Sequence, residues 1–205
     1  MPSTDLGATR KALHAVAELV LAGPQYRRSG TIRLRITPGG FGTVTAPDLR
    51  VDGIDLVSGT TRVSLKATTP GAVAAAAGVD AGIAAGVYHD GGGAGPDDQI
   101  DVDADAAARI AAAYALGVTA LQRLDATQTA VLWPEHFDVS ITVDEIDFGV
   151  SPGDSWLDEP YAYVSLGHAG TGPFWTAPFG AARPMRDIPD ADALASFFAT
   201  GRELA

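Results

Sequence analysis

Two stretches of strict two-residue alternation constrain this chain more than any other feature. In residues 31–37, Ile32, Leu34 and Ile36 point one way and Arg33 and Arg35 the other. In residues 137–143, Phe137, Val139, Ile141 and Val143 alternate with Asp138, Ser140 and Thr142. A strand of this kind buries one face and wets the other, as in antiparallel sheets; strands of parallel sheets are apolar on both faces. Each stretch continues as strand. Pro38-Gly39-Gly40 turns the first into 42–45, two extended pieces flank Gly53 within 49–57, and Ser58-Gly59-Thr60 leads into 61–67. The second lies in a strand-rich block over 129–175, in which Asp144-Glu145 turns the chain into Ile146, Phe148 and Val150.

Helical periodicity brackets both blocks. Leu6, Leu13, Val16, Leu19 and Val20 predict a helix over about 4–22, stopped by Gly23-Pro24. Thr69-Pro70 opens a small-residue helix to about 79. Asp103 or Asp105 caps a long helix to about 124, and Asp190 or Asp192 caps a closing helix that bears Leu194, Phe197, Phe198 and Leu204. The expected class is α+β, a largely antiparallel β-sheet with N-terminal, central and C-terminal helices in a single domain over 1–205. The order helix, strands, helix occurs twice, so a cryptic duplication into 1–90 and 100–205 stays open, although almost no residue identity relates the halves.

Composition excludes several functions. The chain has 205 residues, 46% of them hydrophobic, enough to bury a core. Its formal charge of −11 argues against nucleic acid and anionic membrane as partners, because both are bound by neutralising phosphates. With no cysteine there is no disulfide, thiol catalyst or thiolate metal site. No basic segment followed by an apolar run opens the chain, and Asp80 and several glycines break the apolar run over 72–87. A cytoplasmic location is expected.

The charge is unevenly spread. Residues 27–66 carry about +4, with Arg33, Arg35, Arg62 and Lys66 on the outer faces of two strands. Residues 124–182 contain no Lys or Arg but nine carboxylates and all three tryptophans, Trp133, Trp156 and Trp175. Carboxylates among aromatics without a sequence-local cation are solvated, or paired with the distant basic face, or hold a ligand. The basic face in turn either pairs with those acids or binds an anion.

The densest constellation is Trp133-Pro134-Glu135-His136-Phe137-Asp138. If a strand begins there, His136 and Asp138 share a face about 7 Å apart, a spacing suited to two metal ligands or an acid/base pair. With His168 they form a His-x-Asp…His pattern for a divalent metal, and no other cofactor is evident. Glu135, His136 and Asp138 are the candidate catalytic residues; Trp133, Asp154, Glu159, Tyr161 and Trp175 are candidate ligand-binding residues. His14 and Glu18, four apart on the first helix, read as an exposed side-chain pair rather than half a metal site. The glycines of 91–95 lack the Lys-Ser/Thr ending of a phosphate loop and read as a hinge or surface loop. Asp101-Val102-Asp103-Ala104-Asp105 fails as a calcium loop at Ala106 and Ala112, and Pro152 removes the N–H that a serine-hydrolase elbow over 149–153 requires.

Trp133–Asp138, Ser151-Pro152-Gly153-Asp154, Glu159-Pro160-Tyr161 and the run Phe174–Gly180 together resemble an actinobacterial family of uncharacterised proteins. Residues 37–43 and the Phe197-Phe198 helix are similar too, so the resemblance covers most of the chain. It implies a bacterial, cytoplasmic protein and carries no mechanism. The residues point to binding of a small polar or cationic ligand at the acidic, aromatic segment, with His/carboxylate acid–base or metal chemistry. The alternative is a non-catalytic structural or homodimeric interaction module.

Overall fold

The computed structural model describes residues 6–87 and 91–205, so the expected helix start at residues 4 and 5 lies outside the described residues. The chain divides into two compact units, Met1–Ala111 with Leu132–Phe137, and Ala112–Val131 with Asp138–Ala205. The class is α+β, and the strand pairings described are all antiparallel.

The first unit begins with α1 (Leu6–Val16), which runs without a break into a π-helical turn (Ala17–Ala22) and then α2 (Gly23–Ser29). Gly23-Pro24 therefore does not stop the helix. Proline has no N–H and crowds the carbonyl four residues back, and the chain answers by widening the turn. The Gly23 N–H donates to the Glu18 carbonyl, five residues back. The Leu19 carbonyl, left over by that shift, accepts from Gly82 N at 2.9 Å. A β-carbon on Gly23 would lie 1.6 Å from the Gly82 oxygen, so glycine is obligatory there. The stop comes at Gly30, in the left-handed region at φ 73°.

The first unit's sheet has the order β6-β1-β2-β3-β4-β5, with β1 Leu34–Thr37, β2 Gly40–Thr43, β3 Leu49–Asp52, β4 Asp55–Ser58, β5 Thr61–Ser64 and β6 Val131–Trp133. Register places Ile36, Phe41, Val51, Leu56 and Val63 in one cross-strand row on the inner face. Phe41, Val51 and Leu56 are buried, as are Leu13, Val16, Val20 and Leu21 of the helix. Helix α3 (Pro70–Ala76) is capped by Thr69, whose hydroxyl accepts from Ala72 N at 3.2 Å.

Helix α4 (Ala104–Leu124) carries the chain from the first unit into the second, and Asp103 caps it by accepting from Ala106 N at 2.9 Å. By length and composition α4 is apolar enough to cross a membrane, but 44% of that window is buried inside the protein. The second unit's strands run β10-β9-β8-β7, with β7 Asp138–Val143, β8 Ile146–Ser151, β9 Tyr161–Ser165 and β10 Gly180–Pro184. The β7–β8 hairpin turns through Asp144 and Glu145, both at positive φ, as a two-residue primed turn requires. Helix α4 packs Gly117 against Val139 and Val150, and helix α5 (Ala191–Leu204), capped by Asp190, packs Gly201 against Val164. Those valines share one face by register; the opposite face carries Ser140 and Tyr163.

Candidate functional site

The helix residues 12–22 are apolar on every side except at His14 and Glu18. A helix that is apolar all round is a buried helix, so its polar residues are carried into the interior. The structure shows this: the His14 and Glu18 side chains are 18% and 2% exposed, with Nε2 and Oε2 3.6 Å apart. The expectation of an exposed pair is thereby corrected. Glu18 Oε2 also accepts from Gly92 N at 2.8 Å, so the glycine-rich loop, read from sequence as a hinge or surface loop, seals a buried carboxylate. A β-carbon on Gly92 would meet His14 Nδ1 at 2.9 Å and Glu18 Oε2 at 3.0 Å.

Three further contacts orient His14. Its ring stacks on Phe137, centroids 5.3 Å apart and planes 8° apart. Its Nε2 lies 2.7 Å from the carbonyl oxygen of Pro134. A carbonyl only accepts, so Nε2 carries the hydrogen and the neutral ring keeps its lone pair on Nδ1. Burial, the largest effect, pushes the His14 pKa below its ordinary value of 6.5; the Pro134 backbone raises it, and His136 and Arg10 lower it further. The Nδ1 edge faces the Gly92 wall of a cavity of about 600 Å³ whose lining includes Lys11, His14, Ala67, Gly92, Asp98 and Asp101. Ala67 holds a left-handed φ of 47°, and its N–H donates to Asp101 Oδ1 at 3.2 Å. A non-glycine residue in that region costs on the order of 1 kcal/mol or more and persists only where its surroundings enforce it. The π-helical turn next to His14 is a second such departure, of a kind that recurs at functional sites.

The segment Trp133–Asp138 is not the continuous strand expected. Residues 134–137 form a turn, closed by Phe137 N donating to the Trp133 carbonyl at 2.8 Å, with Phe137 at φ 53°. Strand β7 starts only at Asp138, so His136 and Asp138 do not share a strand face. His136 is exposed. Glu135 is half-buried, and its Oε2 has no hydrogen-bond partner among the described residues. Asp138 is buried and accepts from the Tyr163 hydroxyl. His168 is exposed, its Nδ1 3.1 Å from the Ala169 carbonyl. Among the described residues no group of three His, Asp or Glu side chains is placed to hold a metal, so His136, Asp138 and His168 do not form the expected trio. The left-handed turn at Phe137 interrupts the alternation between His136 and Asp138.

In the second unit, Tyr161 donates to Asp154 Oδ2 at 2.6 Å, while Asp154 Oδ1 accepts from Trp156 N at 2.8 Å. Tyr161 lies against Trp156 and Phe179. Burial first, and then the Asp154 carboxylate, push the Tyr161 hydroxyl well above the ordinary tyrosine range; burial and Asp138 do the same to Tyr163. Asp154 and Tyr161 are thus brought together, while Trp175 packs against Gly170 and Phe174, and Glu159 pairs with Arg186. Asp144 pairs with Arg202 at 2.7 Å. These cations come from beyond the cation-free segment.

On the basic strands, Arg62 is held by Asp52 and Asp55, at 3.1 and 3.0 Å, and Arg33 lies over the Trp133 ring at 5.5 Å. His14, Glu18 and Gly92 are brought together by the fold, against the expectation of an exposed pair and a separate surface loop. The signal was present: a carboxylate centred in an all-round apolar helix must be buried, and a buried carboxylate needs a donor. Comparison with protein-family models, curated proteins and solved structures finds no match.

Proposed function

We propose that the protein binds a small polar ligand in the cavity beside His14, with the Nδ1 lone pair accepting a hydrogen bond from it. The observation that carries this reading is the 2.7 Å contact from Nε2 to the Pro134 carbonyl, which dedicates one ring nitrogen to the fold and leaves the other as an acceptor at a cavity wall. Two features support it. The lowered pKa keeps the imidazole neutral, so it works as an acceptor or base near neutral pH. The lining combines Lys11 with Asp98 and Asp101, which suits a ligand bearing both a donor and a charge. Acid–base chemistry then requires a ligand proton at the Nδ1 position, with Glu18 on the same helix face offsetting the imidazolium that forms.

A thermal-shift screen of small amines, amino acids and polyols tests the reading, because a ligand that binds only the folded state raises Tm with concentration. A true ligand stabilises the wild type and the variant His136→Ala alike and fails to stabilise a folded His14→Phe variant. Binding that survives His14→Phe, or that disappears in His136→Ala, refutes the assignment. Absence of any ligand together with a symmetric dimer in solution favours the interaction-module alternative.

A further inference from the structure

The outer face of the first unit's sheet holds a second feature, separate from the cavity. Register aligns Arg35, Gly42, Arg50, Val57 and Arg62 in one cross-strand row. Directly opposed residues project to the same face, so the three guanidiniums share it. The basic face expected from the sequence comprises Arg33, Arg35, Arg62 and Lys66, without Arg50. However, β1 and β5 lie at separate places in the sheet, and it is Arg50 on β3 that faces Arg35 across β2. Lys66 falls beyond the end of β5.

We propose that Arg35 and Arg50 form a binding site for a small phosphorylated ligand. Three observations carry it. First, strands lie about 4.8 Å apart, so the two α-carbons, one strand removed from each other, are separated by about 9.5 Å, within which two long side chains close on one tetrahedral anion. Second, the residue between them is Gly42, and a β-carbon there would lie 2.8 Å from the Leu49 oxygen and 2.9 Å from Arg50 Cβ. The floor between the arginines therefore bears no side chain.

Third, the charges are unequally engaged. Arg62 is neutralised by Asp52 and Asp55, whereas Arg35 and Arg50 have no carboxylate partner among the described residues. Arg35 donates Nε to the Thr43 carbonyl at 2.9 Å, which anchors the base of its guanidinium and leaves the outer fork for a ligand. Paired guanidinium forks match the oxygens of a phosphate better than one carboxylate. A molecule of charge −11 with two such arginines suits a small phosphate ester, not a polyanion.

The test is calorimetric titration of the whole chain with glycerol 3-phosphate, with glycerol and a 12-nucleotide oligothymidine as comparison probes. The expected result is saturable binding of glycerol 3-phosphate at low salt, with none of glycerol. Arg35→Gln and Arg50→Gln should each weaken it tenfold or more, and Arg62→Gln less than twofold, with melting temperatures preserved in all three. Lack of saturation up to about 10 mM phosphate ester overturns the site. Equal losses in all three variants overturn it as well, because they mark diffuse attraction. Tighter binding of oligothymidine with a steep salt dependence would replace it with an extended nucleic-acid face.

Discussion

The His14 ring lies flat on Phe137, 5.3 Å between centroids and 8° between planes, while Phe41 meets the other ring edge-on at 5.3 Å. One buried phenylalanine thus ties the strand core to the imidazole that faces the cavity. Phe137 occupies that place because its backbone is left-handed, which turns the side chain away from the alternation of the following strand.

Phe137→Ala should destabilise the protein by about 3–5 kcal/mol in urea unfolding, the usual cost of emptying a buried aromatic site. The same variant should move the His14 pKa back toward 6.5 in an NMR titration, since water then reaches the ring. A small stability change, or an unmoved His14 titration, would show that the stack does not enclose the imidazole.

The pH dependence follows from the sign of the His14 shift. Its folded pKa lies below the unfolded 6.5, so the unfolded chain binds the extra proton first as pH falls. Stability from this residue is full above about 6.5 and declines as pH drops from there through the folded pKa. Chemical denaturation between pH 7.5 and 5 should show the decline, and His14→Gln should flatten it.

Gly92→Ala should cost about 1–3 kcal/mol, because its β-carbon presses on His14 Nδ1 and Glu18 Oε2 at 2.9 and 3.0 Å. Gly93→Ala is the comparison, with open space around its β-carbon but a φ of 73° that strains any side chain. Only the first should alter the His14 Nδ1 chemical shift.

Gly23→Ala should be severely damaging, because the carbon would lie 1.6 Å from the Gly82 oxygen. Either the π-helical turn or the Gly82 segment must give way. Loss of the folded state, or a fall in Tm of well over 10 °C, is expected from calorimetry, since overpacking of even about 3 kcal/mol moves Tm by that order.

Tyr163→Phe should cost about 1–3 kcal/mol, since it removes a donor from the buried Asp138 carboxylate. Asp138→Asn in the same background should recover part of it, as a neutral amide needs less compensation. No loss in Tyr163→Phe would mean that Asp138 is satisfied without the phenol.

The sequence by itself determined what depends on neighbours a few residues away. The alternations around Ile36 and Ile141 specify antiparallel strands, and Thr69, Asp103 and Asp190 cap their helices as read, because each hydrogen bond spans only three residues. The tertiary structure decided what depends on distant groups. Gly23-Pro24 stops a helix in isolation, but Gly82 takes up the spare Leu19 carbonyl and the helix continues. Trp133–Asp138 reads as a chemical constellation, yet in the fold it presents His14 with the Pro134 carbonyl, 120 residues away in the chain, and with the Phe137 aromatic face. Local periodicity is blind to such contacts, because their free energy comes from burial that only the folded chain creates.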